Sequence, residues 1–260
     1  MQISKAGHPI TTVDDWRKYA PPKSEIHWKD DRSAKELAKS WLSETHRSMP
    51  GKLIEILRTH PDTASAVLES AEPEVAIQFD SHGGEPRNAD LAIRANTADG
   101  PLAITIEAKS DEPFDKLVSD VLADAIDRSL PHGRGGGVDR VRDLALALLP
   151  PRAKGLPKLG KLRYQLLTAT AGTLAWARSL KAPRGVLIIH EFHTKETLQP
   201  KLDSNARDLN NFIARLTGGH TATVAEGRLI GPIILPGHPS FDPCLYIGKI
   251  VERLSLPQRN

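Results

Sequence analysis

Asp90, Glu107 and Lys109 are the side chains whose types and spacing best suit hydrolytic chemistry on a phosphate ester. The last two belong to the triplet Glu107-Ala108-Lys109, which closes the apolar run Leu102-Ala-Ile-Thr-Ile-Glu-Ala-Lys109. Side chains alternate along a strand, so Thr105, Glu107 and Lys109 share one face while Ile104, Ile106 and Ala108 share the other. An acid and a base thereby reach one spot on a buried surface. Phosphodiester hydrolysis needs positive charge on the developing oxyanion and a water in line with the scissile bond. Two carboxylates holding Mg²⁺ (or Mn²⁺) supply the charge, and a nearby lysine orients the water or takes its proton. On this reading Asp90, Glu107 and the Ala108 carbonyl are the metal ligands, and Lys109 handles the water.

The triplet gains its weight from its setting. With 16 Lys and 32 acids in 260 residues, about two acid-x-Lys triplets are expected by chance at so ordinary a composition. The chain holds one. It follows the turn Asp99-Gly100-Pro101 and sits opposite a second strand candidate that opens at Asp90.

The elements around it read as follows. Residues 1–32 are polar and contain several prolines, an N-terminal arm anchored by Trp16 and Trp28. Ser33-Ala-Lys-Glu36 reads as a capping box opening a helix to about Arg47, with shorter helices near 51–59 and 62–71. Three strands follow, Glu74 to Phe79, Asp90 to Ala95 and Leu102 to Lys109, with a turn at His82-Gly83-Gly84. Helical periodicity returns at Asp115–Leu130, Val138–Leu149 and Arg163–Leu180 before the apolar strand Gly185–His190. A strand reached through a helical crossover lies parallel to its sheet neighbour. The order therefore predicts an α/β fold, a three-layer-like sandwich around a central mixed sheet. A helix over Asn205–Leu216 and strands at Arg228–Leu235 and Leu245–Val251 extend it. Residues 33–260 form one domain on this reading, with a core at 33–193 and an extension at 194–260.

Composition narrows the setting. One cysteine, Cys244, excludes an internal disulfide, and no Cys/His cluster has zinc spacing, so a reducing cytoplasm is the expected location. No stretch approaches the roughly 20 apolar residues of a membrane span, so a membrane partner is not expected. The net charge is only +3, but Pro131–Arg163 holds eight Lys/Arg against two Asp. Arg134, Arg140 and Lys161 from that basic segment are candidate phosphate contacts along a nucleic acid.

Strand-borne Asp90, then Glu107-x-Lys109, on a helix-strand-strand-strand-helix-strand frame over 33–190, resembles the PD-(D/E)xK superfamily, the restriction-endonuclease-like fold. Ser33-Ala-x-Glu36-Leu-Ala, Ala89-Asp90-Leu, Glu107-x-Lys109-x-Asp111-Glu-Pro-Phe114 and Leu162-Arg-Tyr-Gln-Leu-Leu167 are similar to an uncharacterised bacterial domain family associated with that fold. The resemblance implies a magnesium-dependent nuclease with DNA as partner; a homodimer is compatible with it. It also implies roles for Glu36 as a helix-borne metal ligand, and for Asp111, Arg163 and Gln165 near the site. Two departures stand out. Ala89 occupies the place of the motif proline, with Pro86 four residues before Asp90, and Gln165 lacks the tyrosine four residues on that RecB-like exonucleases carry. Two other readings follow from the same residues: a catalytically inactive nucleic-acid- or protein-binding module that retains the fold, and an enzyme acting on a non-nucleic phosphate ester.

Overall fold

A computed structural model describes residues 1–131, 133, 136–237 and 243–254. The architecture is α/β: one eight-stranded mixed sheet with helices on both faces, and seven α-helices among the described residues. The strands are β1 (Gln2–Lys5), β2 (His8–Pro9), β3 (Val67–Ile77), β4 (Arg87–Thr97), β5 (Gly100–Lys109), β6 (Arg184–His193), β7 (Leu229–Ile233) and β8 (Cys244–Arg253). They lie in the order β2-β1-β3-β4-β5-β6-β8-β7. β3, β4 and β5 form an antiparallel meander, and β6 and β8 continue it in parallel from β5. The crossovers between the parallel strands carry the helices, as the connectivity requires.

The helices are α1 (Val13–Tyr19), α2 (Ser33–Leu42), α3 (Gly51–Leu57), α4 (Val118–Ser129), α5 (Gly137–Leu148), α6 (Tyr164–Ser179) and α7 (Gln199–Leu216). One apolar core joins α1, α2 and α3 to Leu102, Ile104, Ile106 and Ala108 of β5. A second joins α5, α6 and α7 to Leu187 and Ile189 of β6 and to Leu245 and Ile247 of β8. Strands apolar on both faces must be covered on both, and here they are. Among the described residues no helix is long and apolar enough to cross a membrane.

Three expectations are corrected. Residues 62–71 are not a helix; a short turn at Pro61–Thr63 leads into β3, whose first half pairs with β1 and β4. The first helix stops at Leu42, well short of Arg47. The N-terminal arm belongs to the sheet, since β1 runs parallel to β3 through Gln2↔Ser70 and Ile3↔Ala71, and Trp16 and Trp28 are buried in the first core.

α6 lies along the meander on small residues. Its Thr173 hydroxyl bonds that of Thr105 at 2.5 Å, and Ala177 packs on Ala103. Gly172 lets Arg87 approach closely here, since a Cβ would meet the Arg87 Cγ at 3.0 Å. The absence of a side chain at Gly172 opens a channel between helix and sheet, and Arg87 fills it.

Candidate active site

β3 and β4 fold about His82, so residues equally distant from it pair: Pro73 faces Leu91 and Val75 faces Ala89. Glu74 and Asp90 therefore oppose each other, and both strands change face there. Leu91, Ile93 and Ala95 point to the α2 side, whereas Ala89 joins Val75, Ile77 and Ala92 on the α6 side. Glu74 carries the strain of the change, with φ +52 in a region that costs a non-glycine residue about 1–3 kcal/mol. The Lys5 ammonium donates to the Glu74 carbonyl at 2.8 Å and helps to hold it. A local break in a sheet that re-aims side chains is typical beside functional sites.

At the same level β4 parts from β5. The ladder between them ends at Leu91↔Ile106, and the Asp90 carboxylate supplies the next contact by accepting the Ala108 N–H at 2.7 Å. Asp90 also lines the cleft that opens beyond. This cleft, of about 460 Å³, is lined by Glu74, Asp90, Arg87 and Lys109 from the meander, by Glu112 and Asp115 after it, by Tyr164 and Gln165 of α6, and by Pro22, Lys23 and His27 of the N-terminal arm.

Glu107 lies beneath the cleft. It is buried, and one oxygen accepts from the Lys109 ammonium at 2.6 Å while the other is ion-paired with the Arg87 guanidinium. Lys109 is buried as well, and burial pushes its ammonium below the ordinary lysine range, with the Asp90 charge opposing. Glu74 shows the converse. Burial first, and the Asp90 charge second, push its carboxyl up to about 8, against the hydrogen bond from Asn88.

The expected ligand set is thus only partly assembled. Glu107, with both oxygens held by cations of the chain, does not present a ligand to the cleft, and Ala108 lies within the β5–β6 ladder opposite His190. Among the described residues no group of three or more His, Cys, Asp or Glu side chains is placed to hold a metal ion, but Glu74 and Asp90 bring two carboxyl groups to the cleft. Mg²⁺ commonly takes only one or two carboxylates beside its waters and a substrate phosphate, and a carboxyl held protonated beside a second carboxylate marks a place lacking positive charge. These two residues would hold the ion, and it would supply charge stabilisation of a phosphate oxygen.

The remaining candidates divide. Gln165 and Arg140 reach the cleft wall. Arg140 clamps the β3–β4 loop, donating to Asp80 at 2.6 Å and to the Glu85 carbonyl at 2.7 Å. Glu36 turns back to accept the Asp31 N–H at 2.9 Å and pairs with Lys39 at 2.8 Å, away from the cleft. The capping box is corrected with it: Arg32 is the N-cap, and the Ser33 hydroxyl donates to Glu112. Asp111 ties Arg32 to Lys201. Arg163 is bonded to Asp208 and the Asp115 carbonyl. Lys161 is exposed outside the cleft, and Arg134 lies outside the described residues. Sequence reasoning missed Glu74 and Arg87. The turn at His82 held the signal for Glu74, because a hairpin centred there sets it opposite Asp90.

Glu74 makes a prediction of its own. Its folded value lies above the ordinary 4.5, so its contribution to stability is complete below 4.5 and is lost as pH rises through about 8. Between those values the protein is expected to lose about 1–3 kcal/mol that Glu74→Gln retains. Urea midpoints of both proteins across this range check it; parallel profiles would count against a neutral buried Glu74.

The fold and the cleft define an α/β protein with an acid pair and a buried lysine where the meander strands part. A family model described as a domain of unknown function (DUF6946) matches residues 9–251, and the chain belongs to that family. No curated protein and no solved structure matches the chain.

Proposed function

We propose that the chain is a metal-dependent phosphodiesterase acting on nucleic acid, DNA first among substrates. The observation that carries this reading is the convergence of Glu74, Asp90 and Lys109 on one cleft at the point where β4 leaves β5. Asp90 and Glu74 would hold a divalent ion, which would supply positive charge against the phosphate. Lys109, whose ammonium burial pushes below the ordinary lysine range, takes the proton of the attacking water or orients it. Arg87 and Glu107 brace Lys109 from below, so that its ammonium group is aimed before substrate arrives.

The cleft's own charges agree with a need for a cation. Its bases Lys23, Arg87, Lys109 and Arg140 are balanced by Glu85, Asp90, Glu112 and Asp115, so without an added ion it offers a phosphate little net attraction. End-labelled single-stranded DNA, duplex DNA and RNA incubated with the protein in Mg²⁺ or in EDTA test the reading. Cleavage is expected in Mg²⁺ alone and is expected to be lost in Asp90→Asn. Cleavage of none of the substrates, or equal cleavage by Asp90→Asn, overturns it.

A second reading has an observation in its favour. Glu107 is neutralised by two side chains of the chain itself, which suits a fold that binds without turnover. On that reading nucleic acid is bound equally in EDTA and in Mg²⁺, and nothing is cut.

A further inference from the structure

Three features of the cleft bear on what enters it. The first is size and enclosure. At about 460 Å³ it matches pockets for small ligands, which run from about 300 to 1,000 Å³. One wall is the N-terminal arm, at Pro22, Lys23 and His27, and the opposite wall is the β3–β4 loop. Arg140 holds that loop down by its bonds to Asp80 and the Glu85 carbonyl, and by stacking over the Phe79 ring at 4.6 Å. Lys23 reaches across to Glu85 at 3.0 Å, joining the two walls at the mouth.

The second is charge. A duplex presents one negative charge per about 1.7 Å of its axis and is held by a row of unengaged cations. Here Lys23 is paired with Glu85, Arg140 with Asp80, and Arg87 and Lys109 with Glu107. Lys154, Lys158 and Lys161 of the basic segment are exposed but line no part of the cleft.

The third is the α6 wall. Tyr164 presents a half-buried aromatic ring, and its neighbour Gln165 has a buried side-chain oxygen with no hydrogen-bond partner among the described residues. A buried acceptor without a partner costs about 1–3 kcal/mol, which a donor on a ligand recovers. Base edges carry amino donors, and aromatic rings stack bases of any sequence.

We infer that the cleft admits a single nucleotide unit, its base against Tyr164 and Gln165 and its phosphate toward Asp90 and Lys109, rather than a continuous duplex. This rests on the phosphodiesterase reading for the placing of the phosphate. A free nucleotide and a strand end share this chemistry, and the experiment separates them.

Binding of a fluorescein-labelled single-stranded decanucleotide to the full chain is measured by anisotropy in Mg²⁺. It is compared with a duplex of the same sequence closed at both ends by hairpin caps. Adenosine 5′-monophosphate and inorganic phosphate serve as competitors. The single strand is expected to bind about tenfold or more tighter than the closed duplex, and the nucleotide to compete better than phosphate. Displacement of the strand by nucleotide at comparable concentration assigns the cleft to free nucleotides; displacement only in large excess assigns it to strand ends. Tyr164→Ala is expected to weaken strand binding about fivefold or more, the scale of one lost base stack. Gln165→Leu, which keeps the volume, is expected to weaken it as well. Equal or tighter binding of the closed duplex, no binding of any probe, or unchanged affinity in both variants overturns the inference. Binding without turnover leaves it standing and removes the hydrolytic reading. Cleavage of closed duplex as fast as single strand does the reverse.

Discussion

Replacing Glu107 with leucine is expected to destabilise the fold by about 3–5 kcal/mol, the usual cost of removing one partner from a buried ionic group. The change strips the counter-charge from Arg87 and Lys109 together, and both side chains are largely buried. For a chain of this size the thermal midpoint should fall by about 10 °C. Urea unfolding in EDTA measures the difference without any contribution from bound metal. The sign separates two roles. A carboxylate built chiefly to bind a cation sits among other acids, and its removal in metal-free buffer relieves repulsion and stabilises. A carboxylate that neutralises two buried cations does the opposite. A gain in stability, or no change, would sink the bracing role assigned to it. The double variant Arg87→Leu, Glu107→Leu should lose less than the sum of the single changes, because the two groups are in contact.

The same pair shows why the site was only partly legible from sequence. β5 could be placed because its apolar run fills both faces of a central strand, and the triplet at its end followed from position alone. The parallel arrangement of β5 with β6 followed from the helical crossover between them. Arg87 could not be found this way. Directly after Pro86 and a short loop, it has the sequence context of a surface cation; it is buried beside Gly172, eighty-five residues later, in the space between α6 and the sheet. Glu36 is turned from the cleft for a related reason. Ser33-x-x-Glu36 has the letters of a reciprocal cap, but the Ser33 hydroxyl is claimed by Glu112, which reaches it only once β5 and α2 are packed. The first half of β3 read as a helix because its apolar spacing is ambiguous over a short window, and its strand partner, β1, lies more than sixty residues upstream. Local patterns located the elements. Partnerships across the sheet decided which side chains face one another.

Lys109 gives the most direct measure of chemistry in the cleft. Under the proposed function Lys109→Ala is expected to lower the cleavage rate by about 10²–10⁴-fold, the range for a positioned acid–base group. Loss of bracing from Glu107 cannot imitate this, because Glu107 in the variant keeps Arg87 as its partner. The pH dependence adds a second criterion. A base works in its neutral form, and burial lowers the pH at which Lys109 loses its proton. The wild-type rate should therefore climb with pH and level off below the ordinary lysine range. The residual rate of Lys109→Ala should lack that climb, apart from any contribution of Glu74, whose carboxyl, pushed up to about 8, would have to lose its proton to take up a cation. Saturating Mg²⁺ removes the Glu74 contribution, since the bound ion displaces the proton across the whole range. A climb that persists in Lys109→Ala at saturating Mg²⁺ would assign the proton transfer to another group. A climb that disappears with Lys109 would place the base at the end of β5, beside the acid pair Glu74 and Asp90.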